Sequence, residues 1–95
     1  MTKSDLIEQI VATTGIERNA VEFIVEALMD TIRQSMVKGE NIYLRGFGTF
    51  QLKTRAAKTG RNILKGTSMT IPAHVKPAFK PGKELIIAVK NKVKL

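Results

Sequence analysis

The sequence predicts an α+β fold: a helical-hairpin base, a three-stranded antiparallel β-sheet extended into a two-stranded β-ribbon arm, and a carboxyl-terminal helix. Apolar residues recur at helical spacing up to residue 40 and again after residue 84, and they alternate with polar residues between Ile42 and Leu52. Residues 54–77 contain no carboxylate and few apolar side chains, so this segment is expected to project into solvent. Without it, the body of a 95-residue chain is near the size at which one core is marginal, and a dimer is expected.

The first forty residues predict two helices joined by a tight turn. Thr2 and Asp5 have the spacing of a capping box, and Gly15 ends the first apolar stripe. A second stripe ends at Lys38-Gly39, as a helix carboxyl terminus should. The apolar residues of the second stripe are Val21, Ile24, Val25, Leu28, Ile32 and Met36.

After residue 40 the apolar period changes to two. Gly46-Phe47-Gly48 separates two alternating runs, which predicts a β-hairpin with one buried face. The second strand is expected to run on without a break into the arm, and Pro72 is expected in the returning strand, on an outer edge where a missing N–H is tolerated. Residues 77–82 are interpreted as a turn leading to the last helix.

The last helix carries an apolar stripe that includes Leu85, Ile86, Val89 and Val93. Lys83 stands near its start, where a cation is unfavourable against the positive end of the helix dipole. One explanation is a phosphate bound by both the lysine and the helix terminus. The alternative is a solvated lysine that costs a few tenths of a kcal/mol.

Charge is segregated along the chain. Residues 1–40 carry four lysines and arginines against seven acids, a net charge of −3, whereas residues 41–95 carry twelve against Glu84 alone, a net charge of +11. The strongly positive charge of residues 41–95 predicts a polyanionic partner, of which nucleic acid is the commonest. An enzyme is not predicted: His74 is the only histidine, cysteine is absent, and no nucleophile with a base, paired carboxylates or metal-ligand cluster can be assembled. No cofactor is expected, and His74 is interpreted as a surface or backbone-phosphate contact.

No apolar run approaches the roughly 20 residues of a membrane span. The sequence begins without the apolar core of a signal peptide, and a cysteine-free chain is compatible with a reducing compartment. A cytoplasmic location and no membrane partner are therefore expected.

Four motifs carry a resemblance to a known family. They are Arg45-Gly46-Phe47-Gly48-Thr49-Phe50, Gly60-Arg61-Asn62, Ile71-Pro72-Ala73 and Pro77-Ala78-Phe79-Lys80-Pro81-Gly82-Lys83. Across essentially the whole chain the sequence resembles the bacterial histone-like HU family, a relative of integration host factor. The resemblance implies an intertwined homodimer of the bacterial nucleoid, in which residues 1–95 form one DNA-binding domain with a body (1–53 and 78–95) and an arm (about 54–77) that embraces the DNA minor groove.

The resemblance also implies the site residues and an architectural function, namely DNA bending and compaction with little sequence specificity. The expected DNA contacts are Lys3, Lys53, Arg55, Lys58, Arg61, Asn62, Ile63, Lys65, Lys76, Lys80 and Lys83. The expected dimer-core aromatics are Phe47, Phe50 and Phe79. Ile63 stands where the family pattern has proline, and Lys65 replaces a usual threonine.

An isoleucine can still wedge between base pairs, so Ile63 is expected to unstack DNA at the arm tip, with Leu64 as the alternative wedge. Kinked, nicked or bent duplexes are then preferred, because their unstacking cost is already met. Two other functions remain open. One is an integration-host-factor-like subunit that prefers particular sites through their deformability. The other is an RNA-binding protein, since the charge would attract either polymer.

Overall fold

The computed structural model describes residues 1–62 and 67–95, and for residues 59–62 and 67–70 it describes the backbone alone. The chain divides into two compact units, Met1–Ser35 and Met36–Leu95. In chain order the elements are α1 (Lys3–Thr14), α2 (Arg18–Val37), β1 (Ile42–Leu44), β2 (Gly48–Arg55), β3 (Lys58–Asn62), β4 (Thr67–Ile71), β5 (His74–Pro81) and α3 (Lys83–Lys92).

Local sequence signals account for both ends of α1. The Thr2 hydroxyl accepts the Asp5 N–H at 3.2 Å, and the Thr2 N–H donates to the Asp5 carboxylate at 3.0 Å, which confirms the predicted capping box. At the other end Gly15 has φ 73°, and its N–H donates to the Val11 carbonyl at 2.8 Å. Both predicted amino-terminal helices are confirmed, and α2 ends at Val37, just before Lys38-Gly39.

The three-stranded sheet has the order β1-β2-β5 and is antiparallel throughout. A tight turn joins β1 to β2, with the Phe47 N–H donating to the Leu44 carbonyl at 2.9 Å. Gly46 has φ 82° at the third position of this turn, a conformation that favours glycine. The predicted hairpin is confirmed.

The strand leaving the hairpin does not run unbroken into the arm, contrary to the prediction. It stops at Arg55 and resumes at Lys58, and on the returning side β4 ends at Ile71 before β5 begins at His74. Pro72 lies in this gap, so it is not a strand residue. A proline has no N–H to contribute to a ladder, which gives a physical reason for the ladder to lapse here. Beyond the gap, β3 pairs with β4 as a two-stranded sheet.

Residues 77–81 are strand and not the predicted turn; only Gly82 separates β5 from α3. Pro77 and Pro81 are accommodated because β5 is the edge strand of its sheet, where an absent N–H faces no partner on one side. Composition suggested a turn, but residues 77–81 pair with residues 48–52 of β2 as a strand.

Gly48 brings β2 against β5 so closely that a side chain has no room. A Cβ built there would lie 2.5 Å from the Phe79 ring and 2.7 Å from the Lys80 carbonyl. The glycine therefore fixes where the Phe79 ring sits on the sheet. The ring lies 5.1 Å from that of Phe50 and 5.4 Å from that of Phe47, within the usual range for aromatic pairs.

Candidate nucleic-acid interface

The register between β2 and β5 sorts their side chains by face. Lys53 stands opposite Lys76, and Arg55 stands opposite His74. Because successive residues of a strand point to opposite faces, the cations of both strands share one face. Its basic residues are Lys53, Arg55, Lys76 and Lys80, and we call it the basic face.

The position of Pro77 indicates which kind of strand pair Lys53 and Lys76 form on the basic face. Leu52 stands opposite Pro77, which has no N–H, so this pair cannot exchange both ladder hydrogen bonds. The next pair along, Lys53 with Lys76, is then the hydrogen-bonded kind, with the two side chains starting about 5 Å apart. Like charges placed directly opposite are destabilising by a fraction of a kcal/mol. Neither strand has a carboxylate to compensate, so an external anion would relieve the repulsion.

Where the ladder lapses, the structure forms a cleft of about 450 Å³. It is lined by Arg55, Ala56, Lys58, His74 and Lys76. Three of these five residues are permanent cations, and all five are exposed. At the interruption of the strands, Lys58 of β3 therefore lies around the same cleft as Arg55 and Lys76 of the basic face.

The opposite face of the same sheet is apolar. Phe50 and Phe79 are partners across β2 and β5, and Ile42 stands opposite Phe50 from β1. Phe79 remains 39% exposed, and Phe47 in the adjoining turn 49%. The three predicted dimer-core aromatics thus form one cluster, and it lies partly open to solvent.

Lys83 is the first residue of α3, as predicted, and Gly82 at the N-cap makes no side-chain capping bond. The adjacent Glu84 lies in the same first turn, and its carboxylate is 3.1 Å from where a Cβ on Gly46 would stand. A carboxylate there already suits the helix dipole. The helix terminus therefore does not need a phosphate to balance Lys83, and Lys83 as a DNA contact stays a prediction.

Lys3 belongs to the unit Met1–Ser35, which we call the helical unit, and it forms an ion pair with Glu26. Its Nζ lies 2.9 Å from Oε1 of Glu26, and both side chains are about half exposed. Arg18 in the same unit donates from Nε to Glu8 at 2.6 Å and from Nη1 to Glu22 at 3.2 Å. The hydrogen bond and charge of Glu8, with those of Glu22, raise the pKa of Arg18 above its usual value. The cations of this unit are engaged internally.

The remaining predicted contacts lie in or beyond β3. The backbone register places Arg61 opposite Ser68 and Asn62 opposite Thr67. Ile63, Leu64 and Lys65 lie outside the described residues, so the wedge stays a prediction. One cleft residue, His74, was interpreted from the sequence only as a surface or backbone-phosphate contact, and it lies in the wall of the cleft. The signal that could have identified it is its register position opposite Arg55, which needs the pairing to be known.

Within residues 1–62 and 67–95, no three histidine, cysteine, aspartate or glutamate side chains are grouped so as to hold a metal ion. No helix in that part of the chain is long and apolar enough to span a membrane.

Comparisons with known proteins agree on one family. Residues 1–90 match the family described as bacterial DNA-binding protein. The chain is 43% identical over 90 residues to the DNA-binding protein HU of Geobacillus stearothermophilus, covering 95% of this chain and 100% of that protein. It is also 43% identical over 95 residues to the integration host factor subunit beta of Marinobacter nauticus, covering 99% and 97% of the two chains.

Solved structures give the same result. A cocrystal structure of Anabaena HU with DNA superposes with a TM-score of 0.89 at 30% identity, covering 94% of this chain and 97% of the other. HU from Thermotoga maritima superposes with a TM-score of 0.66 at 27% identity, covering 94% and 98%. Sequence and fold therefore lead to one conclusion: the chain belongs to the bacterial DNA-binding protein family and is an HU-type, non-enzymatic architectural DNA-binding protein.

Proposed function

We propose that two copies of this chain form an intertwined homodimer that holds double-stranded DNA between its arms and bends it through the minor groove. The observation that carries the proposal is the basic face, on which cations of β2 and β5 lie together without a carboxylate on either strand. Evenly spaced backbone phosphates are the ligand that suits such a face. A DNA complex of a relative with a TM-score of 0.89 supports DNA as the polymer.

Burial supports the homodimer. In the part of the chain that is described, the buried hydrophobic residues are Ile7 and Val21, at 2% and 3% exposure. By contrast Phe23 is 75% exposed and Ile24 is 60% exposed on α2, and the aromatic cluster of the sheet is partly open. Exposed apolar surface on this scale marks an interaction surface. A second copy would cover it without any further component.

The proposed contacts divide by chemistry. Those to phosphate or the groove walls are Lys3, Lys53, Arg55, Lys58, Arg61, Asn62, Lys65, Lys76, Lys80 and Lys83. Ile63 is the proposed wedge, and residues 54–77 are the proposed arm of a single domain. Since these contacts are mostly to the DNA backbone, sequence preference is weak. The proposed location is the bacterial nucleoid in the cytoplasm.

Salt dependence tests the electrostatic part of this function. If the dimer neutralises some six phosphates, affinity for a random duplex falls by about 10³ between roughly 50 and 200 mM salt, because bound counterions are released. Fluorescence anisotropy with a labelled duplex measures this slope. A flat dependence would contradict the basic face as the binding surface.

The wedge is tested separately. Replacing Ile63 by Ala is expected to reduce the bend of an intact duplex while leaving affinity for a nicked duplex nearly unchanged, because a nick already meets the unstacking cost. Resonance energy transfer between the duplex ends measures the bend, and Leu64→Ala is the matched control. If Leu64→Ala reduces the bend and Ile63→Ala does not, Leu64 is the wedge.

A site-preferring function like that of integration host factor is kept as a second candidate, because the match to a subunit of that name is also 43% identical. Deformability would then give some duplexes a tighter complex than others. Equal affinity across random duplexes for a purified homodimer excludes this candidate. Competition between duplex DNA and A-form RNA decides whether RNA is a second ligand.

A further inference from the structure

The cleft where strand pairing is interrupted, between β2 and β3 and between β4 and β5, contains one titratable side chain among permanent cations. His74 lies at its wall, opposite Arg55 on β2, with Lys58 of β3 and Lys76 of β5 around the same space. The segments β2, β3 and β5 carry no aspartate or glutamate. Every charged group that these strands bring to His74 is therefore positive.

The hydrogen bond of His74 fixes what its ring can offer to this cleft. Its Nδ1 lies 3.0 Å from the Pro72 carbonyl oxygen, which can only accept. The contact is a hydrogen bond only when Nδ1 carries the proton. A neutral ring then has a bare lone pair at Nε2, and a lone pair repels a phosphate oxygen.

Protonation changes the ring from an acceptor to a donor at Nε2. The imidazolium keeps the bond to Pro72 through Nδ1 and gains an N–H at Nε2. A phosphate bound in the cleft favours this added positive charge. Binding and protonation therefore strengthen each other.

We propose that this cleft is a phosphate-binding site of the DNA interface in which His74 contributes only as the imidazolium, so that DNA binding takes up protons and strengthens as the pH falls. The inference rests on the proposed DNA-binding function. It adds a pH-dependent donor to contacts that are otherwise made by permanent cations.

Two variants of the full chain separate the titration from the binding. His74→Gln is neutral at every pH, and His74→Lys is charged through the tested range. Every other titratable group is the same in both, so differences between them and the original chain isolate residue 74. The original chain is expected to bind a random duplex about tenfold more tightly per histidine at about pH 5.5 than at about pH 8, at fixed ionic strength.

His74→Gln is expected to lose this pH dependence and to bind as the original chain does at high pH. His74→Lys is expected to bind with low-pH affinity throughout. The salt slope of the original chain is expected to steepen by about 0.9 per histidine on acidification. An unaltered pH dependence in His74→Gln would overturn the inference while leaving the proposed function intact, whereas absence of duplex binding by the original chain at every pH would overturn both.

A spectroscopic measurement tests the protonation itself. His74 is the only histidine, so its ring resonances need no assignment by mutation. Adding duplex DNA near pH 7 is expected to move them toward the imidazolium position. Ring resonances that stay at the neutral position in the saturated complex would refute the proposal.

Discussion

The two units of this chain handle positive charge in opposite ways. In Met1–Ser35 all three cations, Lys3, Arg18 and Arg33, pair with carboxylates at 2.6 to 3.2 Å. On β2 and β5 of the second unit, cations stand opposite one another with no acid on either strand. The cations of the first unit are thus paired within it, whereas those of the sheet remain available to a ligand.

The difference indicates where binding energy can come from. Exposed ion pairs contribute roughly 0–1 kcal/mol to stability, and a phosphate must compete for their cations. Unpaired cations on a sheet face need no such exchange and release counterions directly when they meet DNA. Net charge alone could not distinguish these two kinds of lysine.

The largest effect is expected from removing the opposed pair on the basic face. Lys53→Gln/Lys76→Gln should weaken duplex binding by on the order of 10³ near 0.1 M salt if all four charges of a dimer contact phosphate, since each contact contributes roughly a factor of eight. Anisotropy titration measures it. Lys90→Gln/Lys92→Gln removes the same charge from the last turn of α3 and should have a much smaller effect. Equal losses of affinity in the two variants would show that the basic face contributes only through the net charge of the protein.

A second prediction contrasts the two faces of the sheet. Phe79→Ala is expected to cost about 3 kcal/mol of unfolding free energy per subunit, because its ring contacts those of Phe47 and Phe50 and a partner copy would complete its burial. Urea unfolding at several protein concentrations measures it, with the midpoint expected to rise with concentration. Tyr43→Ala, on the other face and 75% exposed, is the control and should cost under about 1 kcal/mol. A concentration-independent midpoint would contradict the dimer.

The smallest effect is expected in the helical unit. Lys3→Gln breaks an exposed ion pair with Glu26 and should change unfolding free energy by less than about 1 kcal/mol. Its effect on DNA affinity should be a few-fold at most, because a phosphate must displace Glu26. Arg33→Gln, whose pair with Asp30 is of the same kind, provides the comparison. A loss per lysine as large as that in Lys53→Gln/Lys76→Gln would show that an ion pair does not keep a cation from binding DNA.

Sequence reasoning predicted the helices because their signals are local. The Thr2–Asp5 capping box and the Gly15 terminus involve residues within four positions of each other. The same reasoning placed a turn at residues 77–82, where two prolines and a glycine outweighed the strand pattern. That prediction was wrong because the conformation of β5 depends on β2, more than twenty residues earlier in the chain.

By itself, the sequence determined the family, the helices with both ends of α1, and the separation of an acidic from a basic half. Only the tertiary structure decided which cations lie together. The β2–β5 register puts Lys53 opposite Lys76 and Arg55 opposite His74. The cleft lies where the strands are interrupted, and Arg55, Lys58, His74 and Lys76 are among the residues that line it. The physical reason is that side chains alternate across a strand with period two, so shifting β5 by one residue against β2 would move its lysines to the aromatic face and Phe79 to the basic face.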